Sequence, residues 1–533
     1  MGVEWLGPVF LAAVAAVLAL RVLQGRRDAT RRARERAAYE DRETRVDLSG
    51  FFADVQRFFP FVSDAFQATL QTASNPRDAF LEALEATPSV TLGWTHHGLP
   101  ALLPLQERQK HLYVVGKTGS GKTTLLLNLI REDLRAGRGV GVFAPEAELF
   151  RDHVLPLVPK TRAGDVISFA PGHPENPLAF NPLEVAPGED PGRAAEELFS
   201  IFKRAVGEEV LGVRMTPILG NAFAALVGRE GATLVDVKRL LEDDGFRGEI
   251  AATTADPYLA DFWRETYPSY PKGSHLPVVN RLDQFLRPMP VRRALTATRS
   301  SFSIREALAR EKILLVDLSG LAPESRQLLG QMLLAKFQLE LMRREAVPEE
   351  ERRPFFLYAD EFQTFAGVAE ATWRDLFSRG RRYGLALTLA HQYPGQLPRG
   401  LQDEIFGNVA SIVAFALGAS DAEAIRKELL DLPEDGSEAR PAPIESLVSQ
   451  KPGEAIARLG SGGYALPLEA KAPVEKGDPE WGVEVRRRSW ERYGTRAAPK
   501  TSAPSEAAPA TAPANNDPPP KPAPPRPKTR RVT

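Results

Sequence analysis

Cysteine is absent from all 533 residues of the chain. This excludes disulfides, thiolate-bound zinc and cysteine nucleophiles, and fits a reducing compartment. Histidine is scarce as well: seven residues, scattered along the chain, speak against a metal cluster. Neither charge is in surplus, since 68 Lys and Arg against 69 Asp and Glu give a formal net charge of −1. Attraction to a polyanion must therefore come from local patches or an assembled pore rather than from the global field. No internal repeat is present, which argues against solenoids and propellers. What remains is ordinary globular composition, 43% hydrophobic and 26% charged, at a length that suits two or three domains.

One apolar run stands out, residues 5–20, broken only by Gly7-Pro8. No positive residue precedes it, and Arg21, Arg26, Arg27, Arg31, Arg32, Arg34 and Arg36 follow. The pattern predicts a transmembrane anchor over 1–24. By the positive-inside rule, the protein is then expected in the cell inner membrane, single-pass, with everything after the anchor cytoplasmic. A buried or interfacial helix is the alternative reading. Residues 25–85 read as a juxtamembrane helical region, arginine-rich at first and then with Phe51, Phe52, Val55, Phe58 and Phe59 at helical spacing.

From about residue 86, short apolar runs alternate with amphipathic stretches, as in a parallel sheet covered by helices. Strands are expected at 111–115, 139–143, 312–318, 355–359, 385–390 and 411–417. Residues 191–295 have few such runs and several amphipathic segments, which predicts an all-helical insertion splitting a core at 86–190 and 296–475. Residues 476–533 are expected to form a Pro- and Ala-rich basic tail without a fold of its own.

The strongest signal is Gly116-Lys117-Thr118-Gly119-Ser120-Gly121-Lys122-Thr123, a P-loop between an apolar strand and an amphipathic helix that begins near Thr124. Small residues let backbone N–H groups close around phosphates, and the helix N-terminus faces them. Lys122 is expected to reach the outer phosphates of ATP, and Thr123 to bind Mg2+. The second element is Phe355-Phe356-Leu357-Tyr358-Ala359-Asp360-Glu361. Asp360 suits Mg2+ through water, and Glu361 suits the general base that aligns and deprotonates the attacking water. Asp317 competes for the metal role, but Leu318 follows it where a base is wanted. Gln392, after the 385–390 strand, is a candidate γ-phosphate sensor; otherwise it is a satisfied surface amide. One of the three arginines in 378–384, Arg379, Arg381 or Arg382, is a candidate arginine finger for a neighbouring subunit, expected near the same sheet edge; the alternative is a solvated or DNA-facing turn.

Together these motifs resemble the type IV secretion coupling proteins of conjugation, within the FtsK and HerA class of ring-forming pumping ATPases. Further matches are Asp360-Glu361-Phe362, Gly380-Arg381-Arg382-Tyr383-Gly384-Leu385 leading to Gln392, Asn181-Pro182-Leu183, Asn280-Arg281-Leu282 and Gly407-Asn408-Val409 followed by Asp421-Ala422. The resemblance covers residues 112–430. It implies an α/β fold: a RecA-like P-loop NTPase core, mostly parallel with helices on both faces, plus an all-α insertion and an N-terminal membrane helix. It also implies a homo-hexamer that translocates single- or double-stranded DNA without sequence preference, with Arg381 acting in trans and Gln392 sensing the γ-phosphate. The insertion would then meet relaxosome proteins or DNA, and the anchor a secretion channel. Two departures stand out. Ala144-Pro145-Glu146-Ala147-Glu148 replaces the family's Asp-Pro-Lys-Gly-Glu/Asp run, and one membrane segment is expected where many relatives have two.

Two other functions fit the motifs: a HerA-like motor in DNA-end processing, which needs no anchor, and an ATPase for protein export. An ABC subunit is disfavoured because no full L-S-G-G-Q signature is present.

Overall fold

Runs that bury every side chain make the middle of one large sheet. The computed structural model describes residues 88–494 except 96–99, 147, 207–214, 367–369, 432–437, 462 and 473–476. In chain order the strands are β1 (Ser89–Trp94), β2 (Pro100–Pro104), β3 (Leu112–Val115), β4 (Gly139–Ala144), β5 (Val166–Phe169), β6 (Ile313–Asp317), β7 (Phe355–Ala359), β8 (Leu385–His391) and β9 (Ser411–Phe415). β10 (Leu430–Asp431) and β11 (Arg440–Pro441) form a separate ribbon, and β12 (Glu454–Arg458) and β13 (Leu466–Ala470) return to the main sheet.

The main sheet has eleven strands in the order β2-β1-β13-β12-β9-β3-β8-β7-β4-β6-β5. The seven from β9 to β5 are mutually parallel, and the four from β2 to β12 extend them antiparallel. All six strands expected from the apolar runs are present. Every residue of β3, β4, β7, β8 and β9 is buried, because helices cover both faces of a parallel sheet and leave no side for polar alternation. Tyr113 and Val115 join one core cluster, and Leu112 and Val114 the other. Helix α1 (Lys122–Arg135) packs Leu125, Leu126, Leu129 and Ile130 on the second face. Each such buried side chain contributes about 1.5–3 kcal/mol relative to exposure.

Between β5 and β6 every element is helical, including α2 (Pro191–Val206), α3 (Met215–Leu226), α4 (Leu234–Glu242) and α5 (Leu276–Leu286). α4 starts where its sequence says it should: Thr233 and Asp236 form a capping box, with Thr233 N donating to Asp236 Oδ2 at 2.8 Å. α6 (Pro323–Met342) then lies on the first face through Leu329, Leu333 and Phe337.

Two expectations need correction. Residues 479–494, read as the start of an unfolded tail, form helix α7 (Pro479–Gly494) against the edge strand β5. Ser168 N donates to Ser489 Oγ at 2.8 Å, and Trp490 Nε1 donates to Ser168 O at 3.0 Å. Helix side chains thus satisfy a strand edge that has no further strand beside it. The inner-membrane, single-pass placement is also overturned: among the described residues no helix is long and apolar enough to cross a membrane. The longest described helix, α6 at 20 residues, carries Glu324, Arg326, Lys336 and Glu340. The 1–24 anchor and the 25–85 juxtamembrane helix lie outside the described residues.

Candidate active site

Strand β3 ends buried at Val115 and the chain turns through a loop that only glycine can make. Gly119 and Gly121 have φ of 76° and 122°, values that side-chain-bearing residues rarely adopt. At Gly116 the limit is space, since a Cβ there would sit 2.6 Å from Phe415 Cβ on β9. The loop is braced from both sides: Lys117 N donates to Ala416 O, and Gly453 N to Ser120 O, each at 2.9 Å. α1 opens directly after Gly121 with no side-chain cap, leaving its first N–H groups for an anion. Lys117, Thr118, Gly119 and Thr123 are exposed around this mouth, and Thr124 is half-buried. The Ser120 hydroxyl is buried with no hydrogen-bond partner.

Lys122 folds back over the loop, donating to Gly116 O at 2.6 Å and Lys117 O at 3.1 Å. Burial pushes its pKa down, while Glu361 and Asp360 pull the other way. These carboxylates come from β7, one strand removed from β3, with β8 between them. Thr123 Oγ1 lies 3.5 Å from Asp360 Oδ2, and Gln392 Nε2, just past β8, lies 3.5 Å from Glu361 Oε1. Residues 116–123, Asp360, Glu361 and Gln392 therefore converge at the carboxyl edge of three adjacent parallel strands, where open α/β sheets bind ligands.

Asp360 is buried, and its carboxyl is pushed up from 3.8 to about 6. Burial is the main cause, with Glu361 and Glu146 adding like-charge repulsion; a hydrogen bond from Glu361 N and the Lys122 ammonium oppose it. Glu146 lies in the loop after β4. Glu146, Glu148 and His153 line one cleft together with Thr123, Asp360 and Glu361. The acidic loop is thus part of the site's electrostatics.

Arg381 does not join the site. It is exposed in the turn Gly380–Tyr383, before the start of β8, whereas Gln392 follows its end. Seven strand residues at about 3.3 Å each put it roughly 23 Å away, at the amino edge of the sheet. The expectation that the three arginines share the Gln392 edge is corrected by the polarity of β8. Asp317 also stays apart: it accepts from Ser319 N at 2.9 Å, closing the turn after β6.

Sequence reasoning missed three residues around the site. Gln363 Nε2 donates to Glu361 Oε2. His391 is buried, with Nε2 2.5 Å from Tyr113 Oη and Nδ1 3.3 Å from Gln396 Oε1. Burial drives its pKa down to about 3, so it is a neutral bridge. No spacing rule marks a Gln two residues past a carboxylate, or a His and a Tyr 278 residues apart.

The donor set fits a triphosphate with a hard cation. Uncapped N–H groups, an ammonium and the unpartnered Ser120 hydroxyl suit phosphate oxygens, and the Thr123 hydroxyl and Asp360 carboxylate are the oxygen ligands that Mg2+ takes.

No family model matches this chain, and no curated protein matches it in sequence. Solved structures do match in fold. The conjugative coupling protein TrwB bound to the non-hydrolysable ATP analogue ADPNP superposes with a TM-score of 0.52 at 15% identity, over 74% of this chain and 92% of that one. An unbound form of TrwB gives 0.51 at 16%, over 74% and 91%. TrwB with ADP and Mg2+ gives 0.50 at 16%, over 70% and 88%. At these identities the likeness is one of fold: this chain has the fold of the coupling protein TrwB, the class of protein that the motifs resemble.

Proposed function

We propose that this chain is an ATP hydrolase that translocates DNA, a conjugation-type coupling ATPase acting as a homo-hexameric ring. The observation that carries the reading is the meeting of the phosphate loop with Asp360 and Glu361 across a single intervening strand. In it, the loop N–H groups and Lys122 hold the phosphates of ATP, with Lys122 exchanging two loop carbonyls for phosphate oxygens. Thr123 and Asp360 would hold Mg2+, which would supply positive charge against that of the phosphates. Glu361 takes the proton of the attacking water, and Gln392 reports the γ-phosphate. The nucleotide and Mg2+ bound by TrwB support this assignment.

Residues 86–190 and 296–475 are the motor in this reading, and 191–295 the helical insertion that meets DNA or relaxosome proteins. Arg381, exposed and far from its own subunit's site, serves the neighbouring one. The test is ATP turnover with and without DNA, for wild type, Lys122→Ala and Arg381→Ala. DNA stimulation is expected in wild type and loss of turnover in both variants. Mixing the two variants should restore turnover, because each supplies what the other lacks at a shared interface. If DNA never stimulates ATP turnover, the protein-export reading replaces this one; if the mixture stays inactive, Arg381 is not the shared finger.

A pH dependence follows from Asp360. Its raised pKa means that the cation-free fold favours the protonated acid: this contribution to stability is complete below pH 3.8 and is lost as pH rises through about 6. Cation binding runs the other way, since Mg2+ needs the carboxylate. Mg2+-dependent nucleotide affinity is expected to tighten from pH 5 to 7 and level off above. Fluorescent-nucleotide titrations with and without Mg2+ measure it, and Asp360→Asn should remove both the affinity gain and its slope.

A further inference from the structure

The Glu361 carboxylate is gripped by two amides. Gln363 Nε2 donates to its Oε2, and Gln392 Nε2 lies 3.5 Å from its Oε1. The backbone beneath is equally committed. Glu361 has φ of 47°, a left-handed conformation that a non-glycine residue keeps only when its surroundings impose it. Its N–H donates to Asp360 Oδ1 at 3.0 Å, and its carbonyl accepts from Thr364 N at 2.9 Å. The second bond belongs to the turn entering the short helix Gln363–Ala366, so base and amide are placed by the same few residues.

Gln363 is poorly satisfied in this arrangement. Its Oε1 is buried without a hydrogen-bond partner while its Nε2 holds the charged group. An amide with its donor engaged and its acceptor orphaned gains a contact when it turns toward a donor, which offsets part of what it loses by releasing Glu361. Gln392 is the looser partner, at the long limit of a hydrogen bond, and the strand end before it is pinned by His391 between Tyr113 and Gln396. The firm hold on the base thus comes from the side chain that has an alternative.

We propose that Gln363 is a positioning residue that restrains Glu361 in the resting subunit, holding the carboxylate back from the attacking water until the turn at 361–366 rearranges. The inference rests on the ATPase reading above and adds a restraint that makes turnover depend on cargo. With Oε2 tied to Gln363, the base cannot swing to follow a water beside the γ-phosphate without breaking a charge-assisted hydrogen bond, and that loss adds to the barrier when no DNA is engaged. Engagement of DNA that favours the turned amide removes the restraint by shifting the population of this one side chain.

The test uses the full chain with Gln363→Met, which keeps length without the amide, and Gln363→Ala, which removes the side chain. DNA-free ATP turnover is expected to rise about ten-fold in both with KM unchanged, and the ratio of stimulated to basal rate to fall by a similar factor. In a Glu361→Gln background the same changes should add nothing. A basal rate at or below wild type in both variants, with nucleotide affinity and melting temperature retained, overturns the restraint and leaves the ATPase reading standing. Loss of the melting transition in both overturns it too, since Gln363 is then a support of the fold. A wild-type protein that hydrolyses no ATP with or without DNA sinks the ATPase reading itself, a result distinct from either.

Discussion

Replacing Glu361 with Gln is expected to lower steady-state ATP turnover by about 100- to 10,000-fold, the range for loss of a general acid–base group, while nucleotide binding persists. The split follows from the geometry. Glu361 sits on the turn after β7 with its carboxylate held by Gln363 and Gln392, whereas in the proposed reading binding rests on loop N–H groups, Lys122 and Asp360. The amide keeps the shape and a hydrogen-bonding end beside Gln363 and Gln392, so the fold at the turn is retained. It has no carboxylate to accept the water proton. Lys122→Ala makes the contrast, since it removes phosphate contacts and should weaken binding as well as turnover. Single-turnover hydrolysis read beside fluorescent-nucleotide affinity distinguishes the two; equal loss of affinity in Glu361→Gln would rule out a role confined to the chemical step.

The second large effect is on stability, and it is asymmetric. Arg108 and Asp133 are fully buried, joined by two 2.7 Å hydrogen bonds. Tyr358 Oη donates to Asp133 Oδ2 at 2.5 Å and also accepts from Arg108, while Arg138 reaches Asp133 Oδ1 at 2.7 Å. Burial works against the Arg108 charge, but Asp133 and Tyr358 more than compensate and its pKa rises. Asp133→Leu leaves the Arg108 guanidinium buried with no counter-charge, only the phenol and the Phe356 ring 4.4 Å below it. The expected cost is about 3–5 kcal/mol, the range for breaking a buried ion pair from one side. Arg108→Met costs less, because Asp133 keeps Arg138, which is 21% exposed. Chemical denaturation of the two variants measures the difference, and equal losses would show that Arg138 does not act as a second counter-ion. The cluster ties α1, which starts at Lys122, to β7, which ends beside Asp360, so Asp133→Leu should also weaken nucleotide binding.

Much of this was legible in the linear chain. The phosphate loop is eight consecutive residues, and a motif that short carries its own geometry through glycine conformations and a helix start. The central strands were equally plain, because strands buried on both faces are continuous apolar runs. β1, β2, β5, β12 and β13 were not. EAIAR and LPLEA mix charge or proline with apolar residues, and they become strands only through pairing with neighbours. α7 was lost in the tail for a related reason: its mean composition is polar, and Trp490, Ser489 and Val485 acquire meaning only against β5 and its neighbours.

The chain itself determined that it holds a phosphate loop, an acidic pair at a strand end and a sheet of buried strands, since each is written in adjacent residues or in one local period. The tertiary structure decided strand order and polarity. That β8 lies between β3 and β7 puts Gln392 against Glu361, and that β8 runs toward the site sends Arg381 to the opposite edge. The placing of Gln363 on Glu361 and of Glu146 near Asp360 belongs to the same level. The physical reason is that strand order is set by how crossovers pack helices on both faces. That competition is among distant surfaces, and no window of the sequence contains it.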